Sequence, residues 1–296
     1  MKAEAIAAAL APGDWPHALR EDMQQVYPPL LDWLRDHKPA GKPLCIGLCG
    51  AQGTGKSSLA AALLAVLQHQ LGWRGLSLSL DDFYLGAQAR QQLAEQVHPL
   101  LQTRGVPGTH EWDRLQAVLQ QTREQQGELI WPQFNKAADD RCPQDQWQRQ
   151  QLPMDLVLLE GWCVGLPPQE EAELLLPVNG LEQAEDGDGR WRRWVNERLH
   201  DYAQGLWSQL DGLVFLAAPS VAAIRRWREQ QEQGNLRAAG VERSGLSDPQ
   251  AMTRFLAHYE RLTRHALEVL PSRCDVLVRL NEAHQVERLR CPPKRR

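Results

Sequence analysis

The chain has no apolar run approaching the length a membrane-spanning helix needs, so no membrane span is expected. It has no excess of basic charge. Its 33 Lys and Arg stand against 37 Asp and Glu, a net charge of -4, which leaves no electrostatic footprint for nucleic acid. Its six cysteines (Cys45, Cys49, Cys142, Cys163, Cys274, Cys291) include no C-x-x-C pair. Cys45, Cys49 and Cys274 fall in expected core strands, so free thiols in a reducing cytoplasm are expected. The alanine-rich N-terminus carries Glu4 and lacks a basic start followed by a long apolar region, which does not fit a secretory leader. The acidic run Asp186-Gly187-Asp188-Gly189 lacks the ligand spacing and closing Glu of a calcium loop, and reads as an exposed, mobile turn. The basic end Lys294-Arg295-Arg296 is too short to change the charge argument.

What is present is one strong motif. Gly50-Ala51-Gln52-Gly53-Thr54-Gly55-Lys56-Ser57 has the form G-x-x-x-x-G-K-[S/T]. The apolar run 44–49 precedes it, and Ser58 opens an apolar helical pattern after it. A buried strand, a tight loop and a helix form the setting this motif needs. Its glycines let backbone N–H groups converge on phosphate oxygens, and the helix dipole favours the bound anion. Lys56 would reach the β- and γ-phosphates of a nucleoside triphosphate, and the Ser57 hydroxyl would ligate Mg²⁺.

Around it the chain predicts one doubly wound α/β domain, with a mostly parallel five-stranded sheet and helices on both faces. Residues 1–42 form a helical lead-in packed on the main domain, and 43–296 form that domain. Strands are expected over 44–49, 76–80, 155–161, 212–217 and 274–278. The second runs into Asp81-Asp82-Phe83-Tyr84, and the third ends at Glu160. Carboxylates at the carboxyl edge of a parallel sheet lie where ligands bind, and can hold Mg²⁺ or take a proton from a hydroxyl. The long excursion 85–153, with helical patches at 88–96 and 112–126, is expected to cover that edge as a substrate-binding insertion. Ser220 is the expected N-cap of a basic helix carrying Arg225, Arg226 and Arg228, within a lid over about 220–245. A last helix starts at Ser247 or Asp248 and is closed by Pro271. A guanine-reading N-K-x-D segment is missing, since Asn135-Lys136 is followed by Ala137-Ala138, which counts against a GTPase.

These residues together resemble the small-molecule P-loop kinases of the phosphoribulokinase, uridine kinase and pantothenate kinase group. Within it the chain is most similar to the plant and fungal type of D-glycerate 3-kinase. The resemblance runs through 50–57, 80–85, Arg104-Gly105 with Gly108-Thr109-His110, and Pro132 with Phe134-Asn135-Lys136. It continues through 159–162 with Gly165, Val195-Asn196, Trp227-Arg228 and 245–248. It implies ATP and Mg²⁺, a small hydroxy-acid acceptor, and Asp81 as catalytic base and metal contact. Glu160 would help hold the metal, and Arg225 and Arg228 would be lid arginines. Arg104, His110, Asn135 and Lys136 would contact the acceptor, joined by Tyr84 and Arg141 of the same segments. Kinases for a nucleoside, pantothenate or another sugar acid, and a hydrolysing switch, are the alternatives.

Overall fold

The computed structural model describes residues 1–239 and 248–292, the side chains of 235–239 excepted. Helices α1 (Ala3–Leu10), α2 (His17–Gln25) and α3 (Pro28–His37) lead into β1 (Leu44–Gly50), α4 (Lys56–Leu71) and β2 (Gly75–Ser79). The excursion holds α5 (Ala87–Gln96), α6 (Trp112–Glu124), β3 (Glu128–Trp131), β4 (Phe134–Asn135), β5 (Asp140–Arg141) and β6 (Gln148–Gln151). There follow β7 (Leu156–Gly161), α7 (Gly180–Glu185), α8 (Arg190–Gly205), β8 (Gly212–Ala217), α9 (Val221–Ala239), α10 (Pro249–Arg273), β9 (Val276–Leu280) and β10 (Val286–Arg290).

The main sheet runs β10-β9-β8-β1-β7-β2. β1 pairs in parallel with β7 and β8, β7 with β2, and β8 with β9; β10 alone is antiparallel. Strand alternation divides the core in two. Leu44, Ile46 and Leu48 of β1 face one cluster, with Leu59, Leu63 and Val66 of α4. Cys45 and Cys49 face the other, with Leu115 of α6, Leu199 of α8 and Leu262 of α10. A one-residue slip would exchange these faces, so the register is strongly fixed. Ile6, Leu10, Leu30 and Leu34 of the leading helices are buried in the α4-side core.

The five parallel strands anticipated in the sequence are present, and β10 adds a sixth. Its residues Val-Glu-Arg-Leu-Arg are half-exposed to exposed, so an edge strand of this kind leaves little apolar signal. The fifth strand is displaced to Val276–Leu280 because α10 continues to Arg273. Pro271 does not stop it: a proline in the last turn forfeits one backbone bond, and Cys274 N–H still reaches Leu270 O at 2.9 Å. Asp248 caps α10, accepting from Ala251 N–H at 2.9 Å, with Pro249 first in the helix. In the run 186–189, Gly187 and Asp188 form the exposed turn, but Asp186 and Gly189 are buried. Asp186 is fully buried and accepts from the N–H groups of Trp191 and Arg192 and from the Arg192 guanidinium, which fastens the start of α8. Of the lid expected over 220–245, residues 240–245 lie outside the described residues, as do Ser247 and the basic end 294–296.

Candidate active site

β1 ends at Gly50, and the chain turns through Ala51–Gly55 into α4. Gly53 and Gly55 have φ of +80° and +87°, the left-handed region that favours glycine. Gly53 also backs onto α9: a Cβ there would lie 3.1 Å from Cβ of Trp227. The buried Thr54 hydroxyl donates to Ala51 O at 2.8 Å, and Lys56 Nζ reaches the same carbonyl at 3.1 Å. Gly55 offers no side-chain cap, so the first N–H groups of α4 are available to an anion.

Strand register brings the acids to this loop. In β7, Glu160 stands beside Leu48 of β1 and Ser79 of β2. Its Oε1 accepts from the Ser57 hydroxyl at 2.7 Å. After Ser79 the chain forms a 3₁₀ turn over Leu80–Phe83 that carries Asp81. Asp81 Oδ1 accepts from the Tyr84 hydroxyl at 2.8 Å, and Oδ2 from Lys136 Nζ at 2.6 Å. Burial alone would raise the Asp81 pKa. The Lys136 ammonium, the Tyr84 hydroxyl and the charge on Lys56 outweigh it and hold the carboxyl below the usual range. Asp82 faces away from the cleft, and burial pushes it up to about 6.

These groups line a cleft of about 160 Å³. Gln52, Gly53, Lys56 and Ser57 line it from the loop, Asp81 and Glu160 from the strand ends, and Tyr84, Arg104, Arg228 and Lys136 complete it, the exposed Lys136 marking its mouth. On the other side of the loop, Gly53, Gly55, Ser57 and Ser58 border a cavity of about 390 Å³ with Trp227, Gln230 and His284. Trp227 and His284 are stacked there, ring centres 4.3 Å apart.

Of the site residues anticipated beyond the loop segment 50–58, four do not line the cleft. His110 is buried and stacked beneath Tyr84, ring centres 4.7 Å apart. Asn135 turns its Oδ1 to the N–H groups of Ala137 and Ala138, shaping the turn. Arg141 is held by Glu111 at 2.7 Å and by Tyr84 O at 2.9 Å. Arg225 lines a separate cavity of about 640 Å³, shared with Gln52, Arg254 and Tyr259. Its neighbour Arg226 pairs with Glu282. Trp162, expected near the site edge, lines the cleft, whereas sequence reasoning missed Gln231, Phe255 and Tyr259 there and Arg90 behind it. Tyr259 and Phe255 read from the sequence as core positions of a helical stripe, and no local pattern separates them from the rest of it.

Among the described residues no three His, Cys, Asp or Glu side chains gather to form a protein-only metal cage. Magnesium rarely uses one; it takes one or two carboxylates with a nucleotide's phosphates. The Ser57–Glu160 contact at the foot of α4 has the oxygen donors for that habit.

A phosphate loop closed by a lysine and faced by two strand-end carboxylates defines a P-loop phosphotransferase site. No protein-family model matches the chain. It is 34% identical over 236 residues to the uncharacterized kinase mug58 of Schizosaccharomyces pombe, spanning 75% of this chain and 80% of that protein. It is 31% identical over 239 residues to the "Probable ATP-dependent kinase TDA10" of Saccharomyces cerevisiae, spanning 74% and 77%. The chloroplastic D-glycerate 3-kinase of Arabidopsis thaliana is 28% identical over 231 residues, 74% of this chain and 47% of that one. Among solved structures, the YGR205w protein superposes with a TM-score of 0.70 at 25% identity, covering 94% of this chain and all of that one. The D-glycerate 3-kinase of Cryptococcus neoformans gives 0.71 at 22% identity, covering 90% and 97%. The chain belongs to the P-loop kinase family of mug58 and TDA10.

Proposed function

We propose that this kinase phosphorylates D-glycerate on its primary hydroxyl, using Mg-ATP and yielding 3-phosphoglycerate and ADP. The observation that carries the reading is the ionised Asp81 facing the phosphate loop with two cations, Arg104 and Lys136, on the acceptor side of the same small cleft. A three-carbon hydroxy acid offers what this arrangement needs: a hydroxyl for Asp81 and a carboxylate for the cations. The plant relative and the fungal protein of similar fold are both named D-glycerate 3-kinases, which points to the same acceptor.

The loop N–H groups would hold the triphosphate, and the adjoining cavity of Trp227 and His284 would take the nucleoside part. Lys56 and Arg228 meet the negative charge on the moving phosphoryl group. Ser57 and Glu160, with Asp81, would hold Mg²⁺, which neutralises phosphate charge when bound. Asp81 orients the acceptor hydroxyl and takes its proton as the oxygen attacks the γ-phosphorus. The bond from that phosphorus to the β–γ bridging oxygen breaks in line, and ADP leaves with the electron pair. Lys136, which is more than half exposed, swings from Asp81 to the acceptor carboxylate. Among the described residues no helix is long and apolar enough to cross a membrane, and the six cysteines are free thiols. A cytoplasmic enzyme fits both.

The test is a coupled ADP-release assay with Mg-ATP against D-glycerate, L-glycerate, uridine, pantothenate and ribulose 5-phosphate. Release that depends on D-glycerate, with 3-phosphoglycerate as product, is expected. Release with only another acceptor removes the substrate assignment, and acceptor-independent release removes the transfer mechanism.

A further inference from the structure

Arg90, on α5 and outside the cleft, is 2% exposed. Burying a guanidinium so fully is costly unless its donors are matched. Here they are. Nε donates to Gln102 O at 3.1 Å, Nη1 to Leu85 O at 2.7 Å, and Nη2 to the Asp139 carbonyl at 2.9 Å and its Oδ2 at 2.8 Å. One side chain thus ties together the chain after Tyr84, the chain before Arg104, and the β4–β5 turn that carries Lys136.

Asp139 passes this order on. Its second carboxylate oxygen accepts from Nη1 of Arg104, and its backbone φ of +52° is a left-handed conformation that Asp tolerates. Both arginines lie over the Phe134 ring, at 5.7 Å for Arg90 and 5.3 Å for Arg104. Without the Asp139 carboxylate, Arg104 would lose this ion pair and keep the Phe134 ring and a long Nη2 contact to the Lys136 carbonyl at 3.5 Å.

We propose that Arg90 and Asp139 are positioning residues for acceptor recognition, holding the Arg104 guanidinium at the cleft mouth to read the carboxylate of a hydroxy acid. The carboxylate part rests on the function proposed above; the positioning part does not. Arg90 and Asp139 never meet the acceptor. Their effect is to spare it the work of ordering a long, mobile cation.

Two readouts on the full chain test this. In steady-state kinetics, Arg90→Met and Asp139→Asn are each expected to raise KM for D-glycerate about tenfold, the scale of one charge-assisted hydrogen bond. KM for ATP and kcat should change less than about twofold on the same scale. The double variant should be no worse than the worse single one, because both act through one contact. In nitrogen-15 NMR, the Arg104 Nε–H signal, assigned by its loss in Arg104→Lys, should be sharp in the wild type and broadened in both variants. An unchanged Arg104 signal, additive effects in the double variant, or a fall in kcat with KM unchanged overturns the proposal. Where Arg90→Met does not fold, Asp139→Asn carries the test, since the site is half exposed and Asn suits its φ. A wild type that ignores D-glycerate while the variants lose the Arg104 signal defeats the substrate reading and keeps the positioning.

Discussion

The Lys136 ammonium stands 2.6 Å from Oδ2 of Asp81, across the cleft mouth from the phosphate loop. The two residues come from separate parts of the chain, one from the turn after β2 and the other from the β4–β5 turn. Their contact does two things: it offsets the desolvation that raises the carboxyl's pKa, and it parks a cation where the acceptor must enter.

The first prediction concerns this pair. Asp81→Asn should lower kcat by roughly two to four orders of magnitude while leaving nucleotide affinity nearly unchanged. Lys136→Met should shift the acid limb of the kcat/KM profile to higher pH. The sign follows from the causes: burial raises the Asp81 pKa and Lys136 lowers it, so its loss lets burial dominate. An acid limb that stays in place would show that Lys136 does not tune the base.

The second concerns metal. Chelation with EDTA should abolish turnover, and added Mg²⁺ should restore it. Glu160→Gln and Ser57→Ala should each raise the Mg²⁺ concentration for half-maximal rate, because the first removes a carboxylate charge and the second a hydroxyl oxygen at the start of α4. Folding should survive both, since Ser57 is exposed and Gln keeps the hydrogen-bonding shape of Glu160. A Mg²⁺ dependence identical to wild type in both variants would remove these residues from the metal site.

The fold and the phosphate loop were legible because they rest on local signals. The run 44–49 before Gly50 is apolar on both strand faces, which is what a central parallel strand requires. Asp81 and Glu160 were legible for a related reason, each ending a strand whose edge could be inferred. The outer wall of the cleft was less so. His110, Asn135 and Arg141 are polar residues in a long excursion, and nothing local tells a ligand contact from a turn-former or a buried prop. Arg90 gave no signal at all: its four acceptors come from Leu85, Gln102 and Asp139, and only the folded chain brings them together.

The third prediction is acid sensitivity through His110. Burial pushes its pKa down to about 3 from 6.5, and the Tyr202 hydroxyl lies 3.0 Å from Nδ1. That hydroxyl accepts from Gly108 N–H, so its own proton is free for the ring. The folded state keeps the neutral ring, whereas the unfolded chain takes a proton below pH 6.5. Stability from this group is therefore complete above 6.5 and lost as pH falls toward 3, at about 1.4 kcal/mol per unit, or about 2 kcal/mol by pH 5. Urea melts at pH 7.5 and 5 should show His110→Gln losing less stability between the two than wild type. An equal loss would mean the ring is not buried neutral.

The fourth is a stability effect distant from the chemistry. Glu182, on α7, is fully buried and accepts from Arg261 of α10 through Nε at 2.8 Å and Nη2 at 2.6 Å. Arg261 also holds the carbonyls of Glu173 and Leu176, so the pair fastens the loop before α7 to the helix that carries Tyr259 and Phe255 to the cleft. Glu182→Ala leaves a guanidinium buried without its countercharge and should cost about 3–5 kcal/mol in a urea melt. Glu182→Leu combined with Arg261→Met removes both charges, and should recover a large part of that loss, because the desolvation penalty disappears with them. If the double variant proved as unstable as Glu182→Ala, the pair's hydrogen bonds to the loop carbonyls, and not its charge balance, would be what holds α7 to α10.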